Sequence, residues 1–372
     1  MQRTLCVPGP RWARVLCSSL LCIAASVMPA QATDLAKLLQ EVSADAAIPA
    51  TAIVLIENGR IVQQLQQGVR AAGEQPARPV NAADVWHIGS NGKAMTATLM
   101  ARLVELGELR WDDTLASLLP ELAPRMHPAY RQLTITDLLS HRAGLAANAD
   151  EAWLESTYTD KTDVMTLRQL YAAKVLTQAP IAPARQQANY SNSGTILCGA
   201  IAERLSGKPF EQLITELVFA PLGMQVGFGP TPASANTGHK DGKPIRGEHA
   251  SNPKVMIPAG DMYMTMQDWA AFAIDQMQGE QGRGKLLQQA GYHHLHQVQG
   301  DSGAALGWGV RTDFPQQRPV RLLMHAGSNG YWQAVVTLQP DTQKALLIAS
   351  NAGEGTQAEA YQMQIAMTVF SE

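Results

Sequence analysis

Trp86-His87-Ile88-Gly89-Ser90-Asn91-Gly92-Lys93 runs directly into an Ala-, Met- and Leu-rich stretch that ends at Leu106 and Gly107. Few residues of that stretch are β-branched and a glycine closes it, so Lys93 to Leu106 predicts a helix with Ser90 where the preceding loop ends. Ser90 and Lys93 are three residues apart, a spacing that brings a hydroxyl and an amine onto one helix face. A serine at a helix N-terminus feels the positive end of the dipole, which favours a developing oxyanion. A lysine desolvated beside it loses its proton more readily and can serve as base. The ordinary alternative is an N-cap serine with a surface lysine one turn on. A second S-x-x-K, Ser251-Asn252-Pro253-Lys254, has a proline inside it and leads into Val255-Met256-Ile257-Pro258 rather than a helix.

Upstream of this stretch, Leu35, Leu38, Leu39 and Val42 are spaced as one face of a helix between Asp34 and Ala47. Ala52 to Ile56 and Ile61 to Val69 read as two strands around an Asn58-Gly59 turn. Downstream, about 112 to 299 carries mostly helical and loop signals, including Ile196 to Leu205 ending at Gly207. Leu306–Thr312, Val320–His325, Trp332–Leu338 and Ala345–Ser350 are strand-like, with a Pro340-Asp341 turn before the last, and Gln357 to Phe370 is helical. The expected fold is therefore α/β of the α+β kind. It has an antiparallel sheet built from N- and C-terminal segments with flanking helices, and an inserted, mostly helical region. The sheet part is expected at about 33–88 and 300–372 and the helical part at about 89–299.

Residues 1–32 read as a signal peptide. Arg3, Arg11 and Arg14 precede an apolar run, Val15 to Met28, and Ala30-Gln31-Ala32 supplies the small–x–small cleavage pattern. The run is short for a membrane span, so no integral span is expected after cleavage. The chain is expected to be periplasmic or secreted. Without the three arginines, the 29 basic residues fall to 26 against 32 acidic ones, a net charge of −6. That balance argues against nucleic acid or an anionic membrane as partner and leaves a small-molecule or peptide substrate. Of the four cysteines, only Cys198 lies beyond the segment, so no intrachain disulfide is expected.

Two further elements follow Ser90-x-x-Lys93 in order. Tyr190-Ser191-Asn192 precedes a helix; a phenol can pass a proton to a leaving group, and an amide can hold a substrate carbonyl. His325-Ala326-Gly327, followed by Ser328-Asn329-Gly330, ends a strand-like run where small residues let backbone approach a substrate. The competing Lys240-Asp241-Gly242 lies in a polar turn with no strand pattern around it. His293-His294-Leu295-His296 reads as a polar loop or surface helix rather than a metal site, and no metal or cofactor is expected. There is no G-x-S-x-G elbow, G-x-G-x-x-G, H-E-x-x-H or C-x-x-C.

These elements, with Thr136-Asp137-Leu138-Leu139-Ser140-His141-Arg142-Ala143-Gly144-Leu145, Asn189-Tyr190-Ser191-Asn192-Ser193-Gly194, Pro221-Leu222-Gly223-Met224 and Leu306-Gly307-Trp308-Gly309, closely resemble the serine β-lactamase-related family. That family includes class C β-lactamases, DD-peptidases, D-amino-acid-specific peptidases and carboxylesterases, and the likeness covers essentially all of 33–372. The resemblance implies a β-lactamase/transpeptidase-like fold with Ser90 acylated, Lys93 helping to take its proton and Tyr190 shuttling protons. It further implies that Asn192 orients the substrate amide, that His325 and Gly327 form the substrate-facing strand, and that the N–H groups of Ser90 and Ser328 make an oxyanion hole. It implies an exported serine hydrolase that cleaves an amide or ester through an acyl-enzyme on Ser90, the substrate being a D-amino-acid peptide, an ester or a β-lactam-like compound. The alternative is a catalytically silent peptidoglycan-fragment or penicillin-binding protein of the same fold. The departure is His325, where β-lactamases commonly carry lysine. An unperturbed histidine is only about a quarter charged at pH 7, which weakens attraction for a substrate carboxylate.

Overall fold

Ala50–Glu57 (β1) and Arg60–Gly68 (β2) form the hairpin expected around Asn58 and Gly59, whose φ angles are 51° and 68°. Positive φ at both turn residues matches the strand twist, and Asn and Gly reach it at least cost. The computed structural model describes residues 34–312 and 320–371; the signal segment expected at 1–32 lies outside them.

The inserted region is helical but not only helical. Val85–His87 (β3), just before it, and Val226–Phe228 (β4), His239–Lys240 (β5), Lys243–Pro244 (β6) and Met262–Thr265 (β7), within it, are strands of two to four residues. β3, β7 and β4 make a second antiparallel sheet, and β5 and β6 a tiny hairpin turned by Asp241 and Gly242. The expectation of an unflanked turn at Lys240-Asp241-Gly242 is corrected accordingly. Strands this short have no room for a period-two pattern; tertiary pairing makes them.

Gly309–Arg311 (β8), Leu322–Ser328 (β9), Gln333–Gln339 (β10) and Lys344–Ser350 (β11) complete the main sheet in the order β2-β1-β11-β10-β9-β8, antiparallel throughout. β1 lies against β11, with Ile53 opposite Ile348 and Leu55 opposite Leu346, so segments from both ends of the chain close the sheet. The strand expected from Leu306 shrinks to β8 because Gly307 (φ 75°) turns the backbone and Ala305 N–H donates to the Trp308 carbonyl.

Alternation along the strands divides the core. Ala52, Val54, Ala334, Val336 and Leu347 face the helical region. Ile53, Leu55, Leu346 and Ile348 face the helices Leu35–Ser43 and Ala358–Ser371. Each Val, Leu or Ile among them contributes about 1.5–3 kcal/mol on burial. The helix Gly92–Glu105 runs between sheet and helical region and is buried on nearly all sides from Gly92 to Leu103. That explains its small, unbranched composition and its lack of a polar face. Its N-terminus is thereby fixed by packing rather than by a cap. Among the described residues no helix is long and apolar enough to cross a membrane.

Candidate active site

Ser90 sits in a 3-10 turn, Gly89–Asn91, that feeds the buried helix. Gly89 has φ 51°, and a Cβ there would lie 2.5 Å from Ser328 N; a Cβ on Gly327 would lie 2.6 Å from Ser90 N. Only glycine allows the Ser90 turn and the end of β9 to approach so closely. The N–H groups of Ser90 and Ser328 thus belong to facing segments. Asn91 Nδ2 donates to the carbonyls of Ile88 (2.6 Å) and Ala334 (3.2 Å), tying the turn to β10. Behind it, His87 Nδ1 accepts from Gly89 N–H (3.2 Å), which leaves Nε2–H to donate to Asp261 Oδ1 at 2.8 Å. Both side chains are wholly buried. No motif flagged that pair.

Lys93 is fully buried. Its Nζ lies 3.0 Å from Ser90 Oγ, 2.7 Å from Asn192 Oδ1 and 2.7 Å from the Ala259 carbonyl. Loss of water pulls its pKa from 10.5 down to about 7. Two of its partners can only accept. A neutral amine therefore donates twice, to Asn192 and Ala259, and turns its lone pair toward the Ser90 hydroxyl. An ammonium donates to all three from the same position, so proton transfer needs no rearrangement of heavy atoms.

Tyr190 lies beside Ser90 and Lys93, the Lys93 Nζ standing 4.9 Å from its ring centroid. The residue as a whole is half exposed. Loss of water around the phenol raises its pKa against the opposing effect of the nearby Ser90 hydroxyl. The segment carrying it is laid along 137–148. Ile181 N–H donates to Gly144 O (2.9 Å), Arg185 N–H to Arg142 O (2.7 Å), Asn189 N–H to His141 O (2.7 Å) and Asn192 N–H to Ala147 O (2.9 Å). Arg185 also grips Asp137 with two guanidinium nitrogens, at 2.9 and 2.8 Å. Ser191 caps the helix Asn192–Ser206, accepting from Gly194 N–H. Asn192 donates from Nδ2 to Asn148 Oδ1 (2.9 Å), which orients its amide with oxygen toward Lys93. Asn148, like Asp261, was not singled out from the sequence.

His325 flanks Tyr190, their ring centroids 6.5 Å apart. Its Nδ1–H donates to the Ala326 carbonyl at 2.7 Å, leaving Nε2 as an acceptor. Burial lowers its pKa to about 3, helped by the charge of Lys93 and by His141. The fraction of imidazolium expected from an unperturbed histidine is therefore lost in the fold. A cleft of about 380 Å³ opens beside these rings, walled by His141, Tyr190, Ser302, Trp308, Met324 and His325 among others. Among the described residues no Lys, Arg, Asp or Glu side chain lines it. Ser90 does not line this cleft; its neighbour Tyr190 does.

The structure therefore gathers Ser90, Lys93, Tyr190, Asn192, His325, Gly327 and Ser328 around one locus. The histidine run behaves otherwise. It lies in the helix Gln289–His296, where His296 is buried between Glu280 (2.6 Å) and Gln276 (3.1 Å), and the His294 ring lies tilted against Trp111, the centroids 4.4 Å apart. The expectation of a polar loop or surface helix is corrected for His296, which belongs to the core. Among the described residues no group of three or more His, Cys, Asp or Glu side chains is arranged to hold a metal ion.

A family model described as Beta-lactamase matches residues 35–366. The chain is 30% identical over 177 residues to penicillin-binding protein 4 of Amycolatopsis lactamdurans, covering 48% of this chain and 44% of that protein. It is 27% identical over 214 residues to esterase EstB of Burkholderia gladioli (56% and 54%) and 27% identical over 276 residues to a beta-lactamase of Yersinia enterocolitica (70% and 64%). The chain thus spans about half the length of the curated relatives it matches. Its fold is similar to that of an octameric penicillin-binding protein homologue from Pyrococcus abyssi, with a TM-score of 0.75 at 20% identity over 91% of this chain and 78% of that one.

Proposed function

Because the chain belongs to the beta-lactamase family, we propose that it is an exported serine hydrolase that cleaves an uncharged ester or amide through an acyl-enzyme on Ser90. The observation that carries this reading is the Lys93 amine, fully buried and held between two obligate acceptors and the Ser90 hydroxyl. Ser90 Oγ attacks the substrate carbonyl carbon as its proton passes to Lys93. The carbonyl π pair moves onto oxygen, which the N–H groups of Ser90 and Ser328 stabilise. Collapse re-forms the carbonyl and expels the leaving group, which takes a proton from the Tyr190 phenol, itself replenished from Lys93. Water then attacks the ester by the same path reversed, giving a carboxylic acid and free Ser90.

The lining of the cleft supports the preference for uncharged substrates. A neutral His325 offers an acceptor nitrogen, not a cation, so a free carboxylate there gains no ion pair and loses its water. Peptides ending in a carboxylate and β-lactams rank below neutral esters and amides on this argument.

Purified protein treated with a fluorophosphonate and digested for mass spectrometry is expected to carry one adduct, on Ser90. Ser90→Ala should abolish both the adduct and p-nitrophenyl ester turnover with its melting temperature unchanged. Turnover surviving in Ser90→Ala would overturn the assignment. No adduct and no turnover in the wild type would favour the catalytically silent binding protein.

A further inference from the structure

His141 follows the short helix Ile135–Leu139 with φ 60°, a left-handed conformation that a non-glycine residue adopts under strain. Its contacts converge on one neighbour. The His141 carbonyl accepts from Asn189 N–H at 2.7 Å, and its ring Nδ1 accepts from Ser191 N–H at 3.2 Å. Between those two amides stands Tyr190, whose ring lies with its centroid 4.7 Å from the imidazole, the planes at 40°. One residue thus holds the backbone on both sides of the phenol and supports its ring as well. We infer that His141 is a positioning residue for Tyr190, fixing the hydroxyl at Ser90. The inference rests on the acyl-transfer reading of Ser90 and Tyr190.

The chemistry of the ring fits this role. An imidazole that accepts at Nδ1 must carry its hydrogen on Nε2, and protonating Nδ1 would break the bond to Ser191. Burial and then the Lys93 charge hold the His141 pKa at about 4, so the acceptor persists at any pH where Lys93 can act as base. Joining the two segments does not require this side chain. Ala146 O accepts from Ser191 Oγ, Ala147 O from Asn192 N–H, and Arg185 pairs with Asp137. What the imidazole adds is the support next to the phenol.

The test is a double-mutant cycle with a neutral p-nitrophenyl ester. His141→Gly keeps the backbone conformation and removes the ring; it is expected to lower kcat about 10- to 100-fold with KM changed less than about threefold. His141→Asn, which tolerates positive φ and has an acceptor in the place of Nδ1, should recover part of that loss and serves if the glycine variant does not fold. In a Tyr190→Phe background, either substitution should cost less than about threefold more, because the group it positions is gone. A cost that is the same with and without the phenol hydroxyl would reduce His141 to a loop staple and overturn the inference. So would a loss confined to KM or to melting temperature. A Tyr190→Phe enzyme as fast as wild type would instead sink the reading of Tyr190, and the inference with it.

Discussion

Replacing Lys93 with methionine separates what the buried amine does for the reaction from what it costs the fold. In the folded protein Lys93 gives up its proton near pH 7, whereas the unfolded chain keeps it to about 10.5. Between those values the unfolded state binds one more proton, so stability rises with pH. Above 10.5 the burden vanishes, and below 7 it is fully present, at about 5 kcal/mol. Methionine carries no such burden, though it leaves Asn192 Oδ1 and the Ala259 carbonyl without a donor, a pH-independent cost of about 1–3 kcal/mol each. The difference in unfolding free energy between the two proteins should therefore change by about 2.5 kcal/mol from pH 6 to pH 9, wild type gaining as pH rises. His141 and His325 titrate at about 4 and about 3, below that window. Urea unfolding followed by tryptophan fluorescence at pH 6, 7.5 and 9 measures the difference directly. A constant difference would mean that Lys93 stays protonated in the fold, and the base proposed for Ser90 would be lost. In kinetics, log kcat/KM should climb with unit slope to about pH 7 and then stay level to beyond pH 10, since burial raises the Tyr190 phenol.

His325→Lys should restore a cation at the cleft, lowering KM about 5- to 30-fold for a carboxylate-bearing ester at pH 8 while a neutral ester is unaffected; equal KM values for wild type and variant would show that this side chain does not meet the substrate. Asp137→Ala removes the grip on Arg185 and the carboxylate that accepts from Thr134 N–H at the start of its helix. It should cost about 1 kcal/mol of stability and reduce kcat more than a surface change would, measured by paired melting and turnover assays. Burial works to raise the Glu280 carboxyl, but hydrogen bonds and charge from His296 and Arg321 outweigh it and hold it at about 2. Its contribution to stability is full above the ordinary 4.5 and lost as pH falls toward 2. Glu280→Gln should therefore narrow its deficit against wild type across that interval in acid titrations followed by circular dichroism.

The parts of the site that could be read from the chain are those whose geometry is local. A spacing of three residues at a helix start puts Ser90 and Lys93 on one face, and Asn192 and Ala259 then hold the amine 3.0 Å from the hydroxyl. The strands around Asn58-Gly59 and the run ending at His325 were legible because they are long enough to alternate or carry their own turn chemistry. β3, β4 and β7 were not, since three or four residues paired across distant loops have no periodicity to betray them. The electrostatics of His325 were equally out of reach. A sequence supplies the imidazole with its ordinary pKa, and only the fold sets it beside Lys93 and His141 and limits its water.

The same distinction explains why 136–145 was quotable as a pattern yet silent about its role. Nothing in the spacing of His141 or Asp137 predicts a partner forty or fifty residues later. Yet Asp137 pairs with Arg185, and His141 takes the amides on both sides of Tyr190. A phenol that must meet Ser90 from a loop has no regular secondary structure to hold it until the helix begins at Asn192. The precision has to come from a second loop whose own conformation is fixed, and the positive φ of His141 and Gly144 marks where that conformation is enforced. On this view the segment 137–148 serves as a mould for the Tyr190 loop. Substitutions there should be felt first in the step that uses the phenol and only second in the stability of the fold.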